Sequence, residues 1–137
     1  MQQLEMFLQN WGPDSLKVKN LFIELYSFVK AIPEVQLQYK GRPGLSHSLR
    51  VGLPGNSERP FFALIDIIDD EPDARWISMC LYADLATDPE KKGDLVPLGL
   101  NNQDALCFDI DEADENTLAY MCKILDNAAK SFRSSCL

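Results

Sequence analysis

Histidine is almost missing from this chain: His47 is the only one among 137 residues. Much soluble enzyme chemistry near neutral pH depends on a histidine, an activated thiolate or a clustered metal site, so the scarcity narrows the functional field at once. The four cysteines, Cys80, Cys107, Cys122 and Cys136, stand well apart and form no CxxC pair, which removes the spacing of a zinc ribbon or a redox dithiol. The seven glycines build neither GxGxxG nor GxxxxGK(S/T), so no phosphate-cradling loop is written here. Apolar runs stop short of the roughly 18 residues that a membrane-spanning helix needs, and residues 1–5 lack the basic lead of a secretory signal. Positive charge is short as well. Thirteen Lys and Arg face 21 Asp and Glu, for a net charge of −8, which repels nucleic-acid phosphates and anionic lipid headgroups. The expectation is a cytoplasmic protein with no nucleic-acid, membrane, metal or cofactor partner, with Cys80, Cys107 and Cys122 acting as small buried hydrophobes and Cys136 exposed.

What is present is material for a core. Hydrophobic residues make up 46% of the chain and charged ones 25%, and a single domain of this length buries roughly two-thirds of its unfolded surface. Leu4, Phe7, Leu8 and Trp11 sit at i, i+3, i+4 and i+7 ahead of Gly12-Pro13, the pattern of a short amphipathic helix. One or two helical turns do not stand alone in water. Residues 1–13 therefore read as an arm that must dock, on its own domain or on a partner, and residues 14–137 as one domain. Asp14 or Ser15 can cap a helix carrying Val18, Leu21, Phe22, Leu25, Phe28, Val29 and Ile32, which Pro33 stops.

The period then changes to two. Val35, Leu37 and Tyr39 alternate with polar residues, Gly41-Arg42-Pro43-Gly44 reads as a turn, and Leu45, His47, Leu49, Val51 and Leu53 alternate again. Residues 61–68 are apolar on both faces except at Asp66, as in a central strand. An acidic turn over 69–73 leads to a fourth strand from Trp76 to Ala83. Four strands joined by short turns favour an antiparallel meander. Residues 84–104, with Pro89, Gly93, Pro97 and Gly99, read as a long irregular loop of the kind that often carries function. Leu106, Phe108 and Ile110 mark a short fifth strand. Acids from Asp111 to Glu115 suit the start of a last helix, with Leu118, Met121, Cys122, Leu125, Ala129 and Phe132 as its inner stripe. The expected fold class is α+β: an antiparallel sheet of about five strands with an N-terminal and a C-terminal helix packed on it, plus the short helical arm.

In layout the chain resembles the small bacterial YjbR/MmcQ-like domains and related domains of unknown function. The resemblance is carried by the strand-turn-strand around Tyr39-Lys40-Gly41-Arg42-Pro43, the stretch from Trp76 to Asp88-Pro89, and the acidic lead from Asp109 to Glu115 into the final helix. It covers most of residues 15–133 and implies the fold, not an activity. Some such domains resemble DNA-binding wing folds, which the acidic charge of this chain opposes.

Three constellations carry the functional argument. His47, alone at an apolar-phase strand position, fits a core-edge histidine satisfied by a hydrogen bond better than a catalytic one; Ser46 and Ser48 point to the opposite face and make poor partners. Asp66, Asp69, Asp70, Glu71 and Asp73 lack the spacing of a calcium loop and read as a solvated turn, except that Asp66, if buried, needs a partner such as Arg50, Arg75 or a backbone donor. Lys40, Arg42, Arg50, Arg59 and Arg75 read as scattered surface charge, although a meander can gather some of them on one side to hold a phosphate or carboxylate. The leading functional expectation is a non-enzymatic protein-interaction module, self-associating or chaperone-like, that meets a protein partner or forms a homodimer through Leu4, Phe7, Leu8 and Trp11. The alternative is a small-molecule-binding domain or enzyme with a pocket between the sheet and the 84–104 loop, using His47, Asp66, Tyr82, Arg50 and Arg75 as its polar groups.

Overall fold

The computed structural model describes residues 1–56 and 58–135. Its elements run α1 (Gln2–Gln9), α2 (Lys19–Lys30), β1 (Gln36–Arg42), β2 (Ser46–Gly52), β3 (Ala63–Ile68), β4 (Trp76–Tyr82), β5 (Asp94–Leu100), β6 (Gln103–Ile110) and α3 (Glu115–Ser135). The class is α+β, with three helices and one open antiparallel sheet in the order β1-β2-β3-β4-β6-β5. The first four strands form the expected meander.

The sheet has six strands rather than about five, and the difference lies in the 84–104 segment. That segment is not irregular throughout. Asp88 organises its first half by accepting hydrogen bonds from the backbone N–H groups of Lys92 at 3.0 Å and Gly93 at 2.9 Å, and from the Tyr120 hydroxyl. The second half is β5, an edge strand that pairs with β6 from Asp94↔Cys107 to Val96↔Ala105 and slips register before Leu100↔Gln103. Pro97 has no N–H for a ladder and is tolerated because the strand lies at the sheet edge. Beyond it Leu98 takes φ 54° and donates its N–H to Asp104 Oδ1 at 3.0 Å.

Helix starts follow local chemistry. Both carboxylate oxygens of Asp14 accept backbone N–H groups at the start of α2, from Val18 and Lys19, each at 3.1 Å. Ahead of α3, one oxygen of Asp114, Oδ1, accepts the Asn116 N–H at 2.9 Å, where an anion also meets the positive helix end. At the far end of α3, Arg133 donates to the Pro33 carbonyl just after α2.

One hydrophobic cluster contains the buried side chains of all three helices together with the inward phase of the strands: Leu49 and Val51, Ile65 and Ile67, Ile77, Met79 and Leu81, Phe108 and Ile110. The alternate phase (Arg50, Leu64, Asp66, Trp76, Ser78, Cys80) is only half-buried, so the helices cover one face of the sheet and leave the other without a layer. The arm docks in cis: Leu4, Leu8 and Trp11 are buried in this same core. A stripe consumed inside its own molecule cannot be the contact surface for a partner, which corrects the expectation placed on Leu4, Leu8 and Trp11; Phe7, half-buried, packs against the core beside them.

A second correction concerns the cysteines. Cys80 and Cys107 face each other across β4 and β6, their Cα atoms 4.2 Å apart, and are joined as a disulfide; they are not separate buried thiols. Cys122 is free, and Cys136 lies outside the described residues. No helix among the described residues is long and apolar enough to cross a membrane.

Candidate functional site

The candidate residues divide between the two faces of the sheet. On the helix-covered face, β1 and β2 pair with Gly41 opposite His47, so Tyr39 and His47 are diagonal neighbours. The Tyr39 hydroxyl lies 2.6 Å from His47 Nδ1. A side chain at position 41 would collide with the Tyr39 hydroxyl, and a Cβ there would stand 3.0 Å from ring carbon Cζ. Gly41 is therefore the residue that lets the ring lie across β1. His47 Nε2 is 2.8 Å from Asp69 Oδ2, and the second oxygen of Asp69 accepts from Arg75 Nε at 2.5 Å. The backbone N–H of Gly44 also reaches Asp69 Oδ2, at 3.4 Å. Arg75 completes the chain by donating to the Trp11 carbonyl at the end of α1.

The arm closes this cluster from above. The Phe7 ring stacks on His47 with centroids 3.7 Å apart, and the Arg75 guanidinium lies 5.1 Å from the Phe7 ring and 5.3 Å from that of Trp11, within cation–π range. His47 is 4% exposed and Asp69 5%. Burial alone would raise the Asp69 carboxyl, but the hydrogen bonds from Arg75 and His47, the Arg75 charge and the Gly44 N–H outweigh it and hold the group below its ordinary value. Tyr39 is pushed up, first by burial and then by the Asp69 charge.

A Tyr-His-Asp chain has the connectivity of a proton relay, yet here both ring nitrogens of His47 are already occupied and its ring face lies under Phe7. No atom of the imidazole is left to meet a substrate. The arrangement binds β1, β2, the β3–β4 turn and α1 into one unit, and its chemistry is that of a buried, partnered charge.

Asp69 is the residue that sequence reasoning missed. It stands in an acidic run and was expected in a solvated turn, whereas it is the buried centre of this network. Its signal was indirect: Tyr39 and His47 both bring polar tips to the apolar phase of one hairpin, and polar tips in a core need partners. The rest of the acidic run fits a turn; Asp70, Glu71 and Asp73 are exposed. Among the described residues no group of three or more His, Cys, Asp or Glu is placed to hold a metal ion.

The open face holds the other three candidates. Arg50, Asp66 and Tyr82 project from β2, β3 and β4. Asp66 pairs across strands with Ser48, and not with Arg75, which is engaged on the other face. Burial raises the Asp66 carboxyl, and the Ser48 hydroxyl with the charges of Arg50 and Arg42 offset only part of that. Its Oδ1 has no hydrogen-bond partner among the described residues, nor does Nε of Arg50. Tyr82 is buried beneath Arg59, whose guanidinium sits 3.9 Å over the ring while pairing with Asp84 at 3.1 Å. Arg50 and Tyr82 line a cavity of about 240 Å³ with Phe61, Leu64, Leu100 and Asn101. It opens between the sheet and the end of the 84–104 segment; His47, Asp66 and Arg75 take no part in it.

Of the five basic residues weighed from the sequence, the register brings Lys40, Arg42 and Arg50 to the same open face, opposite Ser48, Ser46 and Gln38 respectively. Comparison of the chain with protein-family models, curated proteins and solved structures finds no significant match, so geometry alone carries the reading of these sites.

Proposed function

We propose that this chain is a non-enzymatic protein-interaction module, that it joins its partner through β5, and that the partner is a second copy of itself. The observation that carries this is where exposed apolar side chains collect. Among the described residues, six large hydrophobics are exposed, and Leu95 (59%), Val96 and Leu98 (67%) fall within four positions of β5. An exposed edge strand with apolar side chains is the part of a sheet most prone to pair. A twofold axis beside β5 sets this patch against itself, as an isologous contact requires. Pro97 and the register slip confine backbone pairing to the first residues of the strand, so burial of Leu95, Val96 and Leu98 supplies the contact. A chaperone-like hold on another chain would use the same strand. A cytoplasmic location belongs to this proposal and would keep Cys80 and Cys107 as neighbouring thiols in the cell.

Light scattering on the full chain, across concentration and at low and high salt, tests the reading. Two copies of charge −8 repel, so the dimer is expected to strengthen with added salt. Leu95→Ser combined with Leu98→Ser is expected to abolish it while the circular dichroism stays unchanged. A monomer under every condition overturns the proposal.

A second reading, a small-molecule site on the open face, has one observation in its favour: the cavity there is lined by Arg50, which enters no ion pair among the described residues.

A further inference from the structure

From that cavity we infer a binding site for a small organic monocarboxylate, its anionic end on the Arg50 guanidinium and its apolar body between Phe61, Leu64 and Leu100. The inference rests on the second reading above, that the open-face cavity takes a small molecule, and adds the class of that molecule.

The argument begins from a polar group that the fold leaves unsatisfied. Nε of Arg50 is shut off from solvent with no hydrogen-bond partner, and the guanidinium enters none of the ion pairs among the described residues. Buried polar atoms are partnered in the great majority of cases, and a guanidinium charge that lines a cavity with no carboxylate on it leaves room there for an anion. The chain has acids in excess, 21 against 13 bases, yet none of them closes on this arginine. Asp66, the nearest acid in register, sits two pairs along the ladder, opposite Ser48. Arg59, the basic side chain over Tyr82, does not line the cavity and is already fixed by Asp84 and Gln103.

The remaining lining sets the ligand's shape. Phe61 lies 5.6 Å from the Arg50 guanidinium and, with Leu64 and Leu100, offers apolar contact in a space of about 240 Å³, below the usual range of about 300–1,000 Å³ for drug-sized ligands. Tyr82 and Asn101 add polar contacts at the wall. With Nε enclosed, the two Nη groups are what the guanidinium can offer, and two parallel N–H donors match one carboxylate. A single guanidinium in a protein of charge −8 favours a monoanion over doubly charged phosphate.

Benzoate, hexanoate, benzamide and inorganic phosphate, titrated separately into the full-length chain and followed by amide NMR shifts, test the site. Benzoate or hexanoate is expected to move the amides of Leu64, Tyr82 and Asn101, with phosphate and benzamide at least about tenfold weaker. Arg50→Gln is expected to cost the carboxylates about tenfold, and Arg50→Lys, which keeps the charge but not the fork, somewhat less; the NMR spectrum itself reports whether each variant folds. Arg42→Gln, on the same face outside the cavity, is expected to change affinity less than twofold. Benzamide binding as well as benzoate, unaffected by Arg50→Gln, would leave a small-molecule cavity standing and overturn the carboxylate assignment. No shift at these amides with any of the four probes overturns both.

Discussion

The two faces of one sheet treat buried charge in opposite ways. Under the helices, Asp69 is held by three donors, one each from Arg75, His47 and Gly44, shared between its two oxygens, and a roof of Phe7 and Trp11 keeps water away. On the bare face, Asp66 and Arg50 sit two register positions apart on neighbouring strands, each with an atom that has no hydrogen bond among the described residues. Both acids come from one short stretch of β3 and the turn that follows, so composition does not separate them. What separates them is the number of donors the fold brings to each. A buried charge with its full set of partners is structure, while one without them is either a cost of folding or a place for something to bind.

The largest test breaks the closed side. Asp69→Asn leaves the shape of the side chain and strips its charge from beside Arg75. Removing one partner of a buried pair costs about 3–5 kcal/mol, and urea unfolding is expected to show a loss in that range; a loss under about 1 kcal/mol would make the network ornamental. The wild-type protein carries the same information in its pH dependence. Because the folded Asp69 carboxyl lies below its ordinary value, its contribution is complete above about pH 4 and falls away as the pH drops further. The variant is expected to lack that acid limb.

Reduction acts on the open side. The Cys80–Cys107 bond closes a loop over a sequence separation of 27 residues, and loop-closure entropy assigns such a cross-link about 3.5 kcal/mol. Thermal unfolding with and without reductant is expected to differ accordingly, with the same native circular dichroism at 25 °C. If β4 and β6 separated on reduction, the sheet would depend on that bond far more than its ladder suggests.

A smaller change sharpens the comparison within the closed cluster. Tyr39→Phe removes one hydrogen bond from His47 and leaves Nδ1 without a partner, at an expected cost of about 1–2 kcal/mol; chemical denaturation measures it. Asp66→Asn is the counterpart on the open face, with the smallest effect and the opposite sign. Its carboxyl is raised in the folded state, so ionised Asp66 opposes folding, increasingly as the pH climbs from about 4 to the raised folded value. The variant is expected to match or exceed wild type at pH 7 by less than about 1 kcal/mol and to lose that advantage below pH 4. A clear destabilisation at neutral pH would show Asp66 to be as well partnered as Asp69.

How far these features could be read in advance depends on how much of each lies in local pattern. The meander was legible because β1 to β4 show their burial as alternation, and α2 and α3 because their apolar stripes keep helical spacing. β5 was not, since residues 94–99 are all exposed: a strand with no buried phase has no period to detect, and Pro97 argued against one. Asp69 hid among acids of a similar kind, its burial decided by Arg75 six residues on and by His47 twenty-two residues back. The Cys80–Cys107 contact follows from register between β4 and β6, which no spacing in the chain announces. The grouping of Lys40, Arg42 and Arg50 was foreseeable as soon as the hairpin was, whereas the orphaned Nε of Arg50 among the described residues was visible only in three dimensions.

The tie between Arg75 and the Trp11 carbonyl spans 64 residues, and this sets an order of events during translation. Leu4, Leu8 and Trp11 leave the ribosome before any part of the sheet exists, and the cluster that the arm closes is incomplete until the chain has passed β3 and the turn after it. For that interval the nascent arm is a short apolar helix waiting for its own domain, too short to hold its shape in water and open to whatever apolar surface it meets. The last piece that lets it settle is synthesised at the threshold of β4.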